Sequence, residues 1–190
     1  MYIRYGFLLI TAAMLTAMVF PALAKEEEPP AGLLKDGVCL VSKLKANEYP
    51  DWQVCHQDQD GNWRVFVGMK NFLSFVNDPE AFGQNPRQGG LVFVRDQNTK
   101  KWIPALFAYF VFGDKVIGPC GRDVIAFEDK KQAEKYSRKV NAKGIVRFVG
   151  LRRSIIAYLN NVDHDSTDAD SVIVPQVIEM KNPPPGVKVK

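Results

Sequence analysis

From residue 53 onward, short polar, glycine-bearing stretches separate segments that carry the apolar residues. Residues 53–57 and 63–67 lie on either side of Asp58-Gln59-Asp60-Gly61-Asn62, a pattern that predicts a hairpin with a glycine-bearing turn. The period then changes. Met69, Phe72, Leu73, Phe75 and Val76 fall at helical spacing, and Asn77-Asp78-Pro79 stops the helix. A second pass follows. Residues 91–95 and 102–105 flank Asp96-Gln97-Asn98-Thr99-Lys100 as another hairpin, 109–112 read as a strand, 113–122 as a long turn and 124–127 as a strand. Residues 129–140 predict a helix with Ala133, Tyr136 and Val140 on one side. Gly144 closes it, and residues 145–148 return as a strand.

Each half therefore runs strand, strand, helix, and the Phe66 region loosely echoes Val124-Ile125-Ala126-Phe127. The expected fold class is α+β, with two similar ββα-type halves and mostly antiparallel sheets, because tight hairpins impose antiparallel pairing. The halves are expected over residues 37–88 and 89–159, with Phe66, Phe72, Phe127 and Tyr136 facing one shared core.

The ends read differently. Tyr2-Ile3-Arg4 is a short positive start, residues 6–20 are almost wholly apolar, and Ala22-Leu23-Ala24 matches a small-x-small cleavage site. That pattern predicts a secretory signal peptide over residues 1–24, too short for a comfortable membrane span. A soluble, exported, periplasmic chain beginning at Lys25 is expected, with no stable membrane insertion after cleavage. Residues 25–36 open with Lys-Glu-Glu-Glu-Pro-Pro and are expected to form a flexible leader. Residues 160–190 are a polar, acidic segment followed by a Pro-rich basic tail, with apolar residues 172–174 and 177–178 as a late strand.

The 190-residue chain is 46% hydrophobic and 24% charged, values of an ordinary globular protein. Its net charge of +4 is spread along the chain, which argues against a nucleic-acid partner, since such proteins carry a basic face or stripe. No Gly-x-Ser-x-Gly, His-Glu-x-x-His, phosphate loop or dinucleotide fingerprint occurs, so no enzyme is expected. The two histidines are His56 and His164. The second lies among carboxylates without the spacing of a calcium loop, and reads as part of a solvated linker.

The cysteines carry more chemistry. Cys39, Cys55 and Cys120 are odd in number, so an oxidising compartment leaves at least one thiol unpaired. Cys120 lies in Gly118-Pro119-Cys120-Gly121, where two glycines remove side-chain cover, with Lys115 and Arg122 nearby; it reads either as a reachable thiol or as a buried, inert cysteine. Cys55 reads as a packed or disulfide-bonded cysteine. Cys39 and Cys55 could bridge if their flanking segments pair, but spacing does not fix connectivity.

The segment from Cys39 to Trp52, Cys-Leu-Val-Ser-Lys-Leu-Lys-Ala-Asn-Glu-Tyr-Pro-Asp-Trp, resembles the Cys-x-x-Cys-Gly-Met-x-x-x-x-Tyr-Pro-x-Trp opening of the nitrous-oxide-reductase accessory protein (NosL) family. Gly61, Phe66-Val67-Gly68-Met69-Lys70 and the Gly-Pro-Cys-Gly block resemble further motifs of that family. The resemblance implies a small exported protein that binds Cu(I) and supplies it to a copper-enzyme client, or exchanges it with another copper carrier. Three departures bear on that reading. Ser42 replaces the second cysteine, Leu44 replaces the methionine, and Cys120 stands where the family has methionine. Cu(I) is soft and prefers thiolate or thioether at low coordination number. The expected metal residues are therefore Cys39 and Cys120, with Met69 or His56 as a third. The alternative is a metal-free binding or scaffold protein that keeps the fold and has lost the site. A thiol enzyme using Cys120 would lack an evident base and orienter.

Overall fold

The computed structural model describes residues 28–84, 89–151 and 153–160. The signal peptide expected over 1–24, the first residues of the leader, and residues 161–190 with His164 and the late strand lie outside the described residues.

β1 (Gln53–Asp58) and β2 (Trp63–Val67) pair antiparallel, from Gln53 opposite Val67 to Gln57 opposite Trp63. Asp58 organises the turn between them. Its Oδ1 accepts from the amides of Asp60 and Asn62 at 3.0 and 2.8 Å, and Arg64 Nη1 donates to its Oδ2 at 2.8 Å. α2 (Met69–Asn77) follows at once, and β3 (Gly90–Arg95) returns on the other side of β1, with His56 opposite Val92. β4 (Trp102–Pro104) lies outside β3, giving the order β2-β1-β3-β4.

The second sheet repeats the scheme. β5 (Tyr109–Gly118) and β6 (Gly121–Phe127) form a hairpin, α3 (Lys130–Val140) crosses, and β7 (Gly144–Arg147) returns beside β5 in the order β6-β5-β7. The fold is α+β, with two antiparallel sheets. Each sheet grows from a ββαβ unit whose first strand is central, with β4 added at the edge of the first. The boundary between the units differs from the expected 88/89. β3 belongs to the first sheet because its apolar residues continue the face of β1, with Val94 opposite Val54.

Three local expectations change. Residues 113–122 are mostly strand, not a long turn, and the loop shrinks to Pro119-Cys120. The register shifts between Phe112 and Ile117, leaving Asp114 and Lys115 both exposed before buried Val116, which hides the alternation. Residues 31–36, expected to be flexible, form the short helix α1 (Ala31–Asp36), whose Leu33 and Leu34 pack on the core. α4 (Arg153–Leu159) was not expected at all, although Ile155, Ile156 and Leu159 fall at helical spacing and are buried.

The single shared core also divides. Alternation along β6 sends Val124 and Ala126 into a large core with Phe66, Phe72, Phe75, Phe110 and Phe148. Ile125 and Phe127 point the other way, into a smaller core under α3 with Val111, Val116 and Ala133. Phe127 and Tyr136 meet there, ring centroids 5.3 Å apart.

Candidate metal centre

Cys120 lies at the tip of the β5–β6 hairpin, partly exposed, and the first turn of α2 holds it. Lys70 Nζ donates to the Cys120 carbonyl at 3.2 Å. Asn71 Nδ2 lies 3.4 Å from Cys120 Sγ and donates to the Val67 carbonyl at 2.6 Å. Gly121, at φ +92°, allows the chain to reverse directly after the thiol. Of the two cations expected near it, Arg122 is engaged elsewhere: its Nη2 pairs with Asp114 at 2.8 Å and its guanidinium lies over the Tyr158 ring.

Asp123, three residues on, is fully buried. The Lys70 and Val124 amides each donate to its Oδ1 at 2.8 Å, while Oδ2 has no hydrogen-bond partner. Burial pushes its carboxyl up to about 7, against the amides of Lys70, Val124 and Met69 and the Lys70 charge, which favour the ionised form. Gly68 and Gly118 make room for it. A Cβ on Gly68 would overlap Oδ2, and one on Gly118 would lie 3.0 Å from both Oδ2 and Trp52 Cζ3.

Cys39 lies in the loop between α1 and the 3-10 turn Ala46–Glu48 and is fully buried. The loop closes on itself, with the Lys43 amide on the Cys39 carbonyl at 3.0 Å and the Ser42 amide 3.4 Å from Cys39 Sγ. Ser42 Oγ is buried without a partner. Gln53 Nε2 donates to the Ala46 carbonyl at 3.1 Å, tying this segment to β1. Among the described residues, hydrogen bonds link Cys39 to its own loop and Cys120 to α2, and no group of three His, Cys, Asp or Glu side chains is placed to hold a metal.

The other candidates are core residues. His56 is buried against Phe72 and Phe75, at centroid distances of 5.8 and 6.2 Å, with neither ring nitrogen properly hydrogen-bonded. Burial and the Arg64 charge push the imidazole down to about 4, opposed weakly by the Gly89 backbone and Asp58. Met69 is buried at the start of α2 and shares a cleft with Val54, Phe110 and Val124. Cys55 is buried in β1, where desolvation pushes its thiol up to about 12 despite the Arg95 charge. All three cysteines are free, so no Cys39–Cys55 bridge is present.

The model of the NosL family matches residues 30–155. The chain belongs to the NosL family. The matched NosL span takes in Cys39, His56, Met69 and Cys120 together with both sheets. The chain is also similar to a solved structure, the crystal structure of the copper chaperone NosL from Shewanella denitrificans. That match has a TM-score of 0.54 and 22% identity, and it covers 67% of this chain and 95% of that one, a likeness of fold. No curated protein matches it. Sequence reasoning on the NosL-like blocks singled out Cys120 and took in Lys70 only as part of a family-like segment, with no role at the thiol; it missed Asn71 and Asp123. One signal for Asp123 was present: a lone carboxylate entering the apolar run Val124-Ile125-Ala126-Phe127.

Proposed function

We propose that this chain is a copper-handling accessory protein, not an enzyme, that binds Cu(I) as cargo for delivery or storage. Cys120 supplies the anchoring thiolate and Cys39 the second. The protein works after export into the periplasm, and its partners are a copper-enzyme client or another copper carrier. The observation that carries this reading is the placement of Cys120: a partly exposed soft donor at a hairpin tip braced by α2, in a NosL fold. Metal binding requires the deprotonated thiol, and two thiolates suit the low coordination number of Cu(I).

One observation favours a second reading. Cys39 is fully buried, and neither Leu44 nor Ser42 offers a soft donor, as in a scaffold that has kept the fold without the metal. Titration of the reduced protein with Cu(I) against a competing chelator separates the two. Cys120→Ala and Cys39→Ala are each expected to weaken binding at least about tenfold, or ~1.4 kcal/mol, and Cys55→Ala to leave it unchanged. Unchanged affinity in the Cys39/Cys120 double variant would end the copper reading and leave the scaffold.

A further inference from the structure

α2 begins without a cap of its own. The residue before it is Gly68, at φ 90° and ψ 146°, and no side chain from its own segment accepts from the first-turn amides. An uncapped helix start leaves N–H groups without partners, and a buried start requires an acceptor from elsewhere. The acceptor is Asp123 of β6, whose Oδ1 takes the Lys70 amide at 2.8 Å. The same two residues of the helix, Lys70 and Asn71, then reach Cys120 through Nζ and Nδ2. The hairpin tip and the helix start thus hold each other through three part-buried contacts, in which Asp123 is the one residue that is fully buried.

We infer that Asp123 is the positioning residue for Cys120: it caps α2 from across the fold and thereby fixes the hairpin tip that presents the thiol. Asp123 itself donates nothing to the metal. Its action passes through Lys70 and Asn71. Gly68 and Gly118 are the conformational counterpart, since a side chain on either would meet the carboxylate. The inference rests on the proposed copper role of Cys120, but the positioning can be read without copper.

The test uses native-state alkylation of the reduced, metal-free full chain, followed by intact mass. Cys39 and Cys55 are buried and Cys120 is partly exposed, so a native protein takes up one label quickly. Asp123→Ala is expected to speed the single labelling at Cys120 about tenfold, the change in open population that follows loss of one hydrogen bond. Asp123→Asn, which keeps an acceptor for the Lys70 amide, is expected to label close to the wild-type rate. A variant that merely unfolds would take three labels together, which distinguishes release of the tip from global loss of structure. Single labelling of Asp123→Ala at the wild-type rate, or rapid triple labelling of Asp123→Ala and Asp123→Asn alike, overturns the inference. In a parallel Cu(I) titration, Asp123→Ala is expected to weaken binding and Asp123→Asn to preserve it. If labelling changes as expected while Cys120→Ala binds Cu(I) like wild type, the positioning stands and the copper reading fails.

Discussion

Replacing His56 by leucine isolates the contribution of one buried imidazole. The side chain is 1% exposed, faces Phe72 and Phe75, and leaves both ring nitrogens without a properly aligned partner. A neutral ring is tolerated there and a charged one is not, so the folded value falls from 6.5 to about 4. Below about 6.5 the unfolded chain binds a proton at this site that the folded chain does not, so stability falls with pH until the folded ring also titrates. At about 1.4 kcal/mol per pH unit across that window, the loss approaches roughly 3 kcal/mol. Asp123 acts with the opposite sign. Its folded value is raised from 3.8 to about 7, so the folded chain holds a proton that the unfolded chain has lost, and this group's contribution fades as pH rises through that range. Asp123 is present in both proteins, so the difference between wild type and His56→Leu cancels it. Urea unfolding followed by tryptophan fluorescence, from about pH 8 to about pH 4, measures that difference. The leucine variant is expected to match or exceed wild type at the alkaline end, because an unpartnered polar group has been replaced by an apolar one of similar size. Its advantage should widen steadily below about pH 6.5. Parallel stability curves would refute the reasoning. Copper affinity is expected to be unchanged by this substitution, and a drop would restore His56 as a ligand.

The remaining expectations concern the helix start and the processed end. Gly68→Ala places a Cβ against Asp123 Oδ2 at a backbone φ of +90°, and should cost about 1–3 kcal/mol in chemical denaturation. A Gly68→Ala protein as stable as wild type would mean that the carboxylate can move aside freely. Intact mass of the protein recovered from the periplasm should begin at Lys25, and a mass retaining residues 1–24, or carrying a lipid, would overturn the proposed export.

Where periodicity was local, the fold was legible. The β1–β2 hairpin, α2 and α3 follow from alternation and helical spacing within a few residues. Partner choice was less so. Nothing in residues 90–95 says that they pair with β1 rather than open a second sheet, since pairing is decided by a face formed elsewhere in the chain. Alternation predicts too short a β5–β6 hairpin because Asp114 and Lys115 are exposed in succession at a register shift. Gly118-Pro119-Cys120-Gly121 showed an accessible thiol, and its tip position follows from those same glycines. The grip on it was not legible, because Lys70 stands out only as part of a family-like segment, Asn71 reads as an ordinary amphipathic helix start, and both meet residue 120 only in three dimensions.

That distance along the chain sets an order of events. The contacts from α2 to residues 120 and 123 span 49, 50 and 53 residues. Contacts of such separation form only after the intervening loop has closed, late relative to a local hairpin. The β5–β6 turn can therefore exist before its brace does, and a chain at that stage carries Cys120 without Lys70 and Asn71 against it. The held thiol is a product of completed assembly. On the proposed copper role, loading of the cargo would be conditional on maturation: the receptacle would be finished only when both sheets are in place, and an immature chain would be a poor competitor for the ion.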